Sequence, residues 1–144
     1  MYYYDYKEFV QDVEMLYKLS KSYEPDIILA IARGGVTLGH FLAEKYKLRE
    51  LLTLNSVHYD DTQKLDSIKL SNIPNIPNYK KVLIVDDIID SGESLEEIVK
   101  VLKKKFPKTT FKAGVIFYKE NDIFTPDFKI KEAKEWIEFF WTNP

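Results

Sequence analysis

VLIVDDIIDSGES, running from Val82 to Ser94, is the stretch on which the fold turns. Its first four residues are aliphatic without interruption, as expected of a short strand buried on both faces. Two carboxylates, Asp86 and Asp87, follow at once. They therefore stand at the C-terminal edge of that strand, the edge at which open α/β sheets bind ligands. Asp90, Ser91, Gly92, Glu93 and Ser94 then lead into Leu95, Ile98, Val99, Leu102 and Phe106, which share one helical face. Ser94 with Glu97 is expected to cap that helix, and Lys103, Lys104 and Lys105 complement the dipole at its far end.

The same order of elements recurs upstream. DIILAIA (Asp26 to Ala32) is a second short aliphatic strand, and ARGG (Ala32 to Gly35) is a tight turn. Leu38, Phe41, Leu42 and Tyr46 mark a helix over Val36 to Tyr46, and a strand follows over Leu51 to Val57. This βαβ unit implies a parallel sheet. Before it, Tyr6, Phe9, Val10, Val13, Leu16 and Tyr17 recur at helical spacing, with Asp5 and Glu8 as a capping pair. Downstream, FKAGVIFY (Phe111 to Tyr118) reads as a further buried strand. The expected fold is α/β: one domain over residues 1–144, a central parallel sheet flanked by helices on both faces, and a small C-terminal hood at about 119–144. The polar segment after Val57 shows no convincing periodicity beyond Ile68 and Leu70, and it carries Pro74 and Pro77. A mobile lid is expected there, at about 58–73.

At 144 residues, 45% hydrophobic and 31% charged, the chain has the mass of one compact domain. It holds no cysteine, which removes disulfides and thiolate metal sites and fits a reducing, cytoplasmic setting. Met1 to Tyr6 is not a basic region followed by an apolar one, and Ile27 to Ala32 is far short of the ~20 residues that span a bilayer, so neither leader nor membrane association is expected. A net charge of −2 speaks against a broad nucleic-acid footprint. Only two basic residues are arginine, Arg49 and Arg33, and the latter sits in the glycine turn.

Backbone N–H groups around Gly92, two short hydroxyls and a helix N-terminus form an anion cradle suited to a terminal phosphate. An ordinary helix cap would account for Ser94 and Glu97, but not for Asp86, Asp87 and Gly92 beside them. A P-loop hydrolase is excluded, because none of the five glycines precedes lysine. A signalling receiver would carry its acidic pair on the first strand, whereas here only 57 residues follow Asp87 (144 minus 87).

The string VLIVDDIIDSGES resembles the signature with which type I phosphoribosyltransferases bind 5-phosphoribosyl 1-pyrophosphate (PRPP): an aliphatic strand, two acids, two aliphatics, a variable residue, then Thr or Ser and Gly. The resemblance implies that Asp86 and Asp87 hold the ribose hydroxyls, directly or through Mg2+, and that Asp90, Ser91, Gly92, Glu93 and Ser94 wrap the 5′-phosphate. Ala32, Arg33, Gly34 and Gly35 look like the family's pyrophosphate loop, whose Ala32–Arg33 peptide would be cis. Alone, that turn would read as an ordinary strand-to-helix connection. Asp90, at the variable position, resembles the 6-oxopurine branch and implies a general base that takes the N7 proton as N9 attacks the sugar.

The tail EWIEFFW resembles the purine-binding segment of small bacterial xanthine-guanine and hypoxanthine phosphoribosyltransferases. It implies that Trp136 stacks on the base and that Ile137 and Glu138 present backbone groups to its far edge. Lys119 matches the lysine that donates to O6. Core packing or an oligomer interface is the competing reading for Trp136, and the favoured one for Trp141. Where purine members often carry Ser-Tyr, this chain has His58 and Tyr59; with Asp60 and Lys64 these are candidates to close the lid. His40 is expected to be packed or hydrogen-bonded within its helix. The sequence ends three residues after Trp141, short of the tail some relatives use in subunit contacts. The implied reaction is purine salvage, PRPP plus hypoxanthine, guanine or xanthine giving a nucleoside monophosphate and pyrophosphate. The resemblance also implies a homo-oligomer, dimer or tetramer. The rival readings are a PRPP-sensing regulator on the same fold and a receiver domain.

Overall fold

The computed structural model describes residues 1–59, 67–121 and 123–142. Its elements are β1 (Tyr2–Tyr4), α1 (Tyr6–Ser20), a single 3-10 turn (Lys21–Tyr23), β2 (Ile27–Ala32), α2 (Gly35–Tyr46), β3 (Leu51–Tyr59), β4 (Ser67–Ser71), β5 (Lys81–Ile89), α3 (Glu93–Lys105), β6 (Thr110–Tyr118), β7 (Phe128–Glu132) and β8 (Ile137–Phe139). Six strands form the main sheet in the order β4-β3-β2-β5-β6-β7. All neighbours are parallel except β3 and β4, which are antiparallel. No helix among the described residues is long and apolar enough to cross a membrane.

Period-two alternation divides the central strands between two cores. Ile28, Ala30, Leu83 and Val85 face α1 and α2, joining Phe9, Val13, Leu16, Leu38 and Leu42. Ile27, Leu29, Ile31, Val82 and Ile84 face the other way and join Leu95, Ile98 and Leu102 of α3. Both faces are thus apolar, which explains why these strands are unbroken aliphatic runs rather than alternating ones. Each fully buried Leu or Ile contributes about 1.5–3 kcal/mol. The crossover β2–α2–β3 leads to one side of the sheet and β5–α3–β6 to the other. The strand order therefore reverses between β2 and β5, and a crevice opens beyond their C-terminal ends.

Several local expectations change. The α1 cap is as read, Asp5 accepting from the Glu8 N–H at 2.8 Å. The α3 cap is not: the helix starts at Glu93, its N-cap is Gly92 with no side-chain cap, and Ser94 lies within the first turn. The positive φ of Gly92, 89°, starts the helix ahead of the serine, at a conformation that glycine adopts without a Cβ penalty. The segment expected as a lid over 58–73 carries secondary structure at its ends, because β3 runs to Tyr59 and β4 returns beside it, Val57 opposite Lys69 and Ser56 opposite Leu70. Asp60 and Lys64 lie outside the described residues.

The expected hood over 119–144 is divided. β7 joins the main sheet as an edge strand, and only β8 stands apart, paired in parallel with β1 in a two-stranded sheet, Tyr2 opposite Ile137 and Tyr4 opposite Phe139. An aromatic cluster beneath it anchors the tail. Trp141 stacks on Phe139 with centroids 4.7 Å apart and meets Tyr4 and Phe9 edge-on, so Trp141 is a packing residue. Lys131 of β7 bonds both Glu8 and Asp12 of α1, at 2.6 and 2.9 Å, and the Tyr4 hydroxyl donates to Asp12 at 2.6 Å. Burial alone would lower the Lys131 ammonium, but the two carboxylates hold it above its usual range. His40 is exposed rather than packed, its ring edge-on to Phe41, because Leu38 and Leu42 occupy the buried face of α2.

Candidate active site

The turn after β2 lies directly on the end of β5. A Cβ at Gly34 would fall 2.4 Å from Asp87 Oδ2, and one at Gly35 would fall 2.6 Å from the Val85 carbonyl oxygen. Only glycine lets the two strand ends approach this closely. The Ala32–Arg33 peptide is cis, as the resemblance implied. Arg33 is exposed, and its carbonyl accepts from the Val36 N–H at 3.0 Å.

Beyond Val85, β5 leaves β2 and continues beside β6 alone, pairing Asp86 with Val115 and Ile89 with Tyr118. Asp86 and Asp87 stand at the point of divergence. The Asp87 N–H donates to Asp86 Oδ1 at 2.9 Å, and the Ile88 N–H donates to Asp87 Oδ1 at 2.8 Å. Burial, reinforced by the neighbouring Asp87 carboxylate, holds the Asp86 carboxyl well above the usual range. Burial also raises Asp87, against the N–H groups that favour its anion. Two carboxylates kept side by side with little water favour a cation or a partner rich in hydroxyls. No cluster of three metal-ligating side chains occurs among the described residues, so a cation here would take its remaining ligands from substrate and water.

A cavity of about 470 Å3 follows, lined by Asp86, Ile88, Ile89, Asp90, Ser91, Gly92, Glu93, Ser94 and Leu95. The N–H groups of Glu93, Ser94 and Leu95 form the first turn of α3 and have no partner within the helix. The Glu93 N–H reaches Ser91 Oγ at 3.3 Å, and the other two belong to residues of the cavity wall. This wall is suited to an anion, by hydrogen bonding and by the helix dipole together.

A second cavity, of about 400 Å3, is lined by Ile88, Asp90, Lys119, Trp136, Ile137, Glu138 and Phe139 among others. Ile88 and Asp90 border both spaces. Trp136 is 77% exposed, which excludes core packing for its ring, while its carbonyl accepts from the Tyr2 N–H at 2.8 Å. Asp90 and Lys119 meet across the sheet edge, Nζ to Oδ1 at 3.0 Å, with side chains 75% and 47% exposed. The Lys119 N–H bonds to the Ile89 carbonyl at 3.0 Å, so β5–β6 pairing carries the lysine to the acid.

The residues assigned in the sequence to PRPP and purine thus border one of three adjoining features: the Ala32–Gly35 turn, the acidic pair with the 470 Å3 cavity, and the 400 Å3 cavity. The lid candidates His58 and Tyr59 lie at the end of β3, and Asp60 and Lys64 are not among the described residues. Sequence reasoning missed Ile88, the wall between the cavities, although the two aliphatics of the motif name it. It also missed β1, whose three tyrosines gave no pattern that would pair them with residues far along the chain, and Asn121. The Asn121 side chain accepts from the Ile123 and Phe124 N–H groups at 2.9 and 2.8 Å and donates to the Lys119 carbonyl at 3.0 Å.

The family model described as the phosphoribosyl transferase domain matches residues 3–143. The xanthine-guanine-hypoxanthine phosphoribosyltransferase of Helicobacter pylori superposes with a TM-score of 0.90 at 38% identity, covering 97% of this chain and 92% of that one. The xanthine-guanine phosphoribosyltransferase of Idiomarina loihiensis is 25% identical over 117 residues, 79% of this chain and 69% of that protein. Orotate phosphoribosyltransferases and a regulator also match, over less than half of their own length. The regulator, transcriptional regulator GfcR of Methanocaldococcus jannaschii, is 26% identical over 85 residues, 59% of this chain and 40% of that protein. With the acidic pair at the strand switch, the helix-capped anion cradle beside it and these likenesses over nearly the whole chain, the protein belongs to the type I phosphoribosyltransferase family, in its purine branch.

Proposed function

We propose that this enzyme transfers the 5-phosphoribosyl group of PRPP to N9 of a 6-oxopurine, releasing pyrophosphate. The observation that carries the reading is Asp90: it borders both cavities and is paired with Lys119 at 3.0 Å. An acid between a phosphate-binding space and a second, more apolar one is placed to act where sugar and base join. Asp90 to Ser94 hold the 5′-phosphate, Asp86 and Asp87 the ribose hydroxyls, and Arg33 with the Ala32–Gly35 turn the pyrophosphate. Lys119, a donor only, leaves Asp90 to donate to O6. Trp136 stacks on the ring, and Ile137 and Glu138 address its far edge.

In the reaction the bond from C1′ to the pyrophosphate oxygen breaks, and its electron pair leaves with the pyrophosphate. The bond from C1′ to N9 forms, and the proton on N7 passes to the Asp90 carboxylate. The buried carboxylates near the sugar stabilise the positive charge that builds on the ribose. Asp86 and Asp87 also suit Mg2+, since both are oxygen ligands held close together with little solvent. When bound, Mg2+ supplies positive charge to the sugar and pyrophosphate oxygens.

The test is one assay panel with PRPP, Mg2+ and hypoxanthine, guanine, xanthine, adenine or orotate. Turnover of at least one 6-oxopurine, with adenine and orotate slower, supports the reading. Turnover of orotate alone overturns the purine assignment. Binding of PRPP with no turnover of any base assigns the chain to the regulators instead.

A further inference from the structure

Asn121 lies two residues beyond Lys119 and belongs to neither cavity wall. Both ends of its amide are engaged: Oδ1 accepts two backbone N–H groups, from Ile123 and Phe124, and Nδ2 donates one hydrogen to the Lys119 carbonyl at 3.0 Å. Because N–H groups need an acceptor and a carbonyl needs a donor, the two ends of the amide cannot exchange. The same oxygen lies against the phosphate-side loop: a Cβ at Gly92 would stand 2.6 Å from Asn121 Oδ1 and 3.2 Å from the Phe124 nitrogen. Lys119 is thus held at its N–H by Ile89 of β5 and at its carbonyl by Asn121. Asn121 in turn rests on the glycine that starts α3.

We propose that Asn121 is a positioning residue that sets Lys119 toward the base and ties it to the loop around Gly92. Occupancy of the phosphate cradle and recognition of the base then depend on each other through one side chain that touches neither ligand. The inference rests on the roles assigned above to Lys119 and to the Asp90–Ser94 loop. It goes further, because it identifies what makes the two subsites act together.

Asn121→Asp separates the two halves of the amide. A carboxylate oxygen still accepts from Ile123 and Phe124, but the second oxygen replaces the donor and faces the Lys119 carbonyl. The variant is expected to melt within about 5 °C of wild type, the scale of one lost hydrogen bond in a domain of this size, and to keep its KM for PRPP within about twofold. Its KM for hypoxanthine should rise about tenfold or more, the scale of one lost hydrogen bond. Asn121→Ala also frees the two N–H groups, and both KM values should rise. Wild-type KM for both substrates in Asn121→Asp overturns the proposal, as does an equal rise in both accompanied by a lower Tm, which marks a merely structural role.

A readout without turnover distinguishes this from failure of the proposed function. In 15N spectra, ribose 5-phosphate should shift the Gly92 and Lys119 amides of wild type, and only the Gly92 amide of Asn121→Asp. An unmoved Lys119 amide in wild type, or equal movement in both proteins, overturns the coupling whatever the assay panel shows.

Discussion

Lys119→Gln tests base recognition where the structure allows a magnitude. In the unliganded protein the ammonium is spent on Asp90 at 3.0 Å, an ion pair between groups 47% and 75% exposed. A pair so open to solvent is worth about 0.2–1 kcal/mol. Binding a 6-oxopurine exchanges it for a charged hydrogen bond to O6, worth about 1.5–3 kcal/mol in a site closed to water. Glutamine loses the second contribution and is spared breaking the first. The net loss for hypoxanthine is therefore about 0.5 to 2.8 kcal/mol, roughly twofold to a hundredfold in kcat/KM. Adenine offers N6–H2 where hypoxanthine offers O6. The glutamine amide can accept from that group as the ammonium cannot, so kcat/KM for adenine should hold or rise. Steady-state kinetics with both bases at saturating PRPP measure the two constants. The melting temperature should not move, because the broken pair is exposed. If both constants stay at their wild-type values, Lys119 is not the O6 donor and base recognition rests on Trp136 and the backbone of β8.

Asp90→Asn should retain PRPP binding and lose roughly 10²-fold or more in kcat, the usual share of a general base; a wild-type kcat would reduce Asp90 to a loop residue. EDTA should abolish turnover and Mg2+ restore it, since Asp86 and Asp87 face a polyanion, and full activity in metal-free buffer would remove that role. The acidic pair also predicts a pH dependence. Both carboxyls are raised by burial, Asp86 additionally by its neighbour's charge, so with no cation or substrate bound they contribute to stability as neutral acids. That contribution is complete below the ordinary carboxylate range and is lost as pH rises through the raised values. Asp87→Asn stays neutral throughout. Its stability in urea with EDTA should exceed wild type by a margin that widens from acid toward neutral pH; a margin flat with pH would contradict the burial argument.

The central elements were legible because their signals are local. VLIV and DIILAIA are aliphatic for the length of a strand, and their period-two division between two cores needs no knowledge of partners. The acidic pair, the Gly92 turn and α3 follow one another along the chain, so the anion cradle is a property of contiguous residues. Tertiary structure decided what depends on residues far apart. β1 and β8 have three residues each, too few for periodicity, and pair only because the Tyr4, Phe9, Phe139 and Trp141 cluster brings the two ends of the chain together. β4 and β7 are edge strands with one paired side, which their mixed polar composition does not advertise. The α3 cap passed from Ser94 to Gly92 because a positive φ, not a side-chain oxygen, sets where that helix begins. The meeting of Asp90 with Lys119 required β5 and β6 to be neighbours in register, Ile89 beside Tyr118. Residue chemistry is written along the chain, but an ion pair and a shared cavity wall are set by which strand ends lie side by side, and that follows from packing the whole sheet.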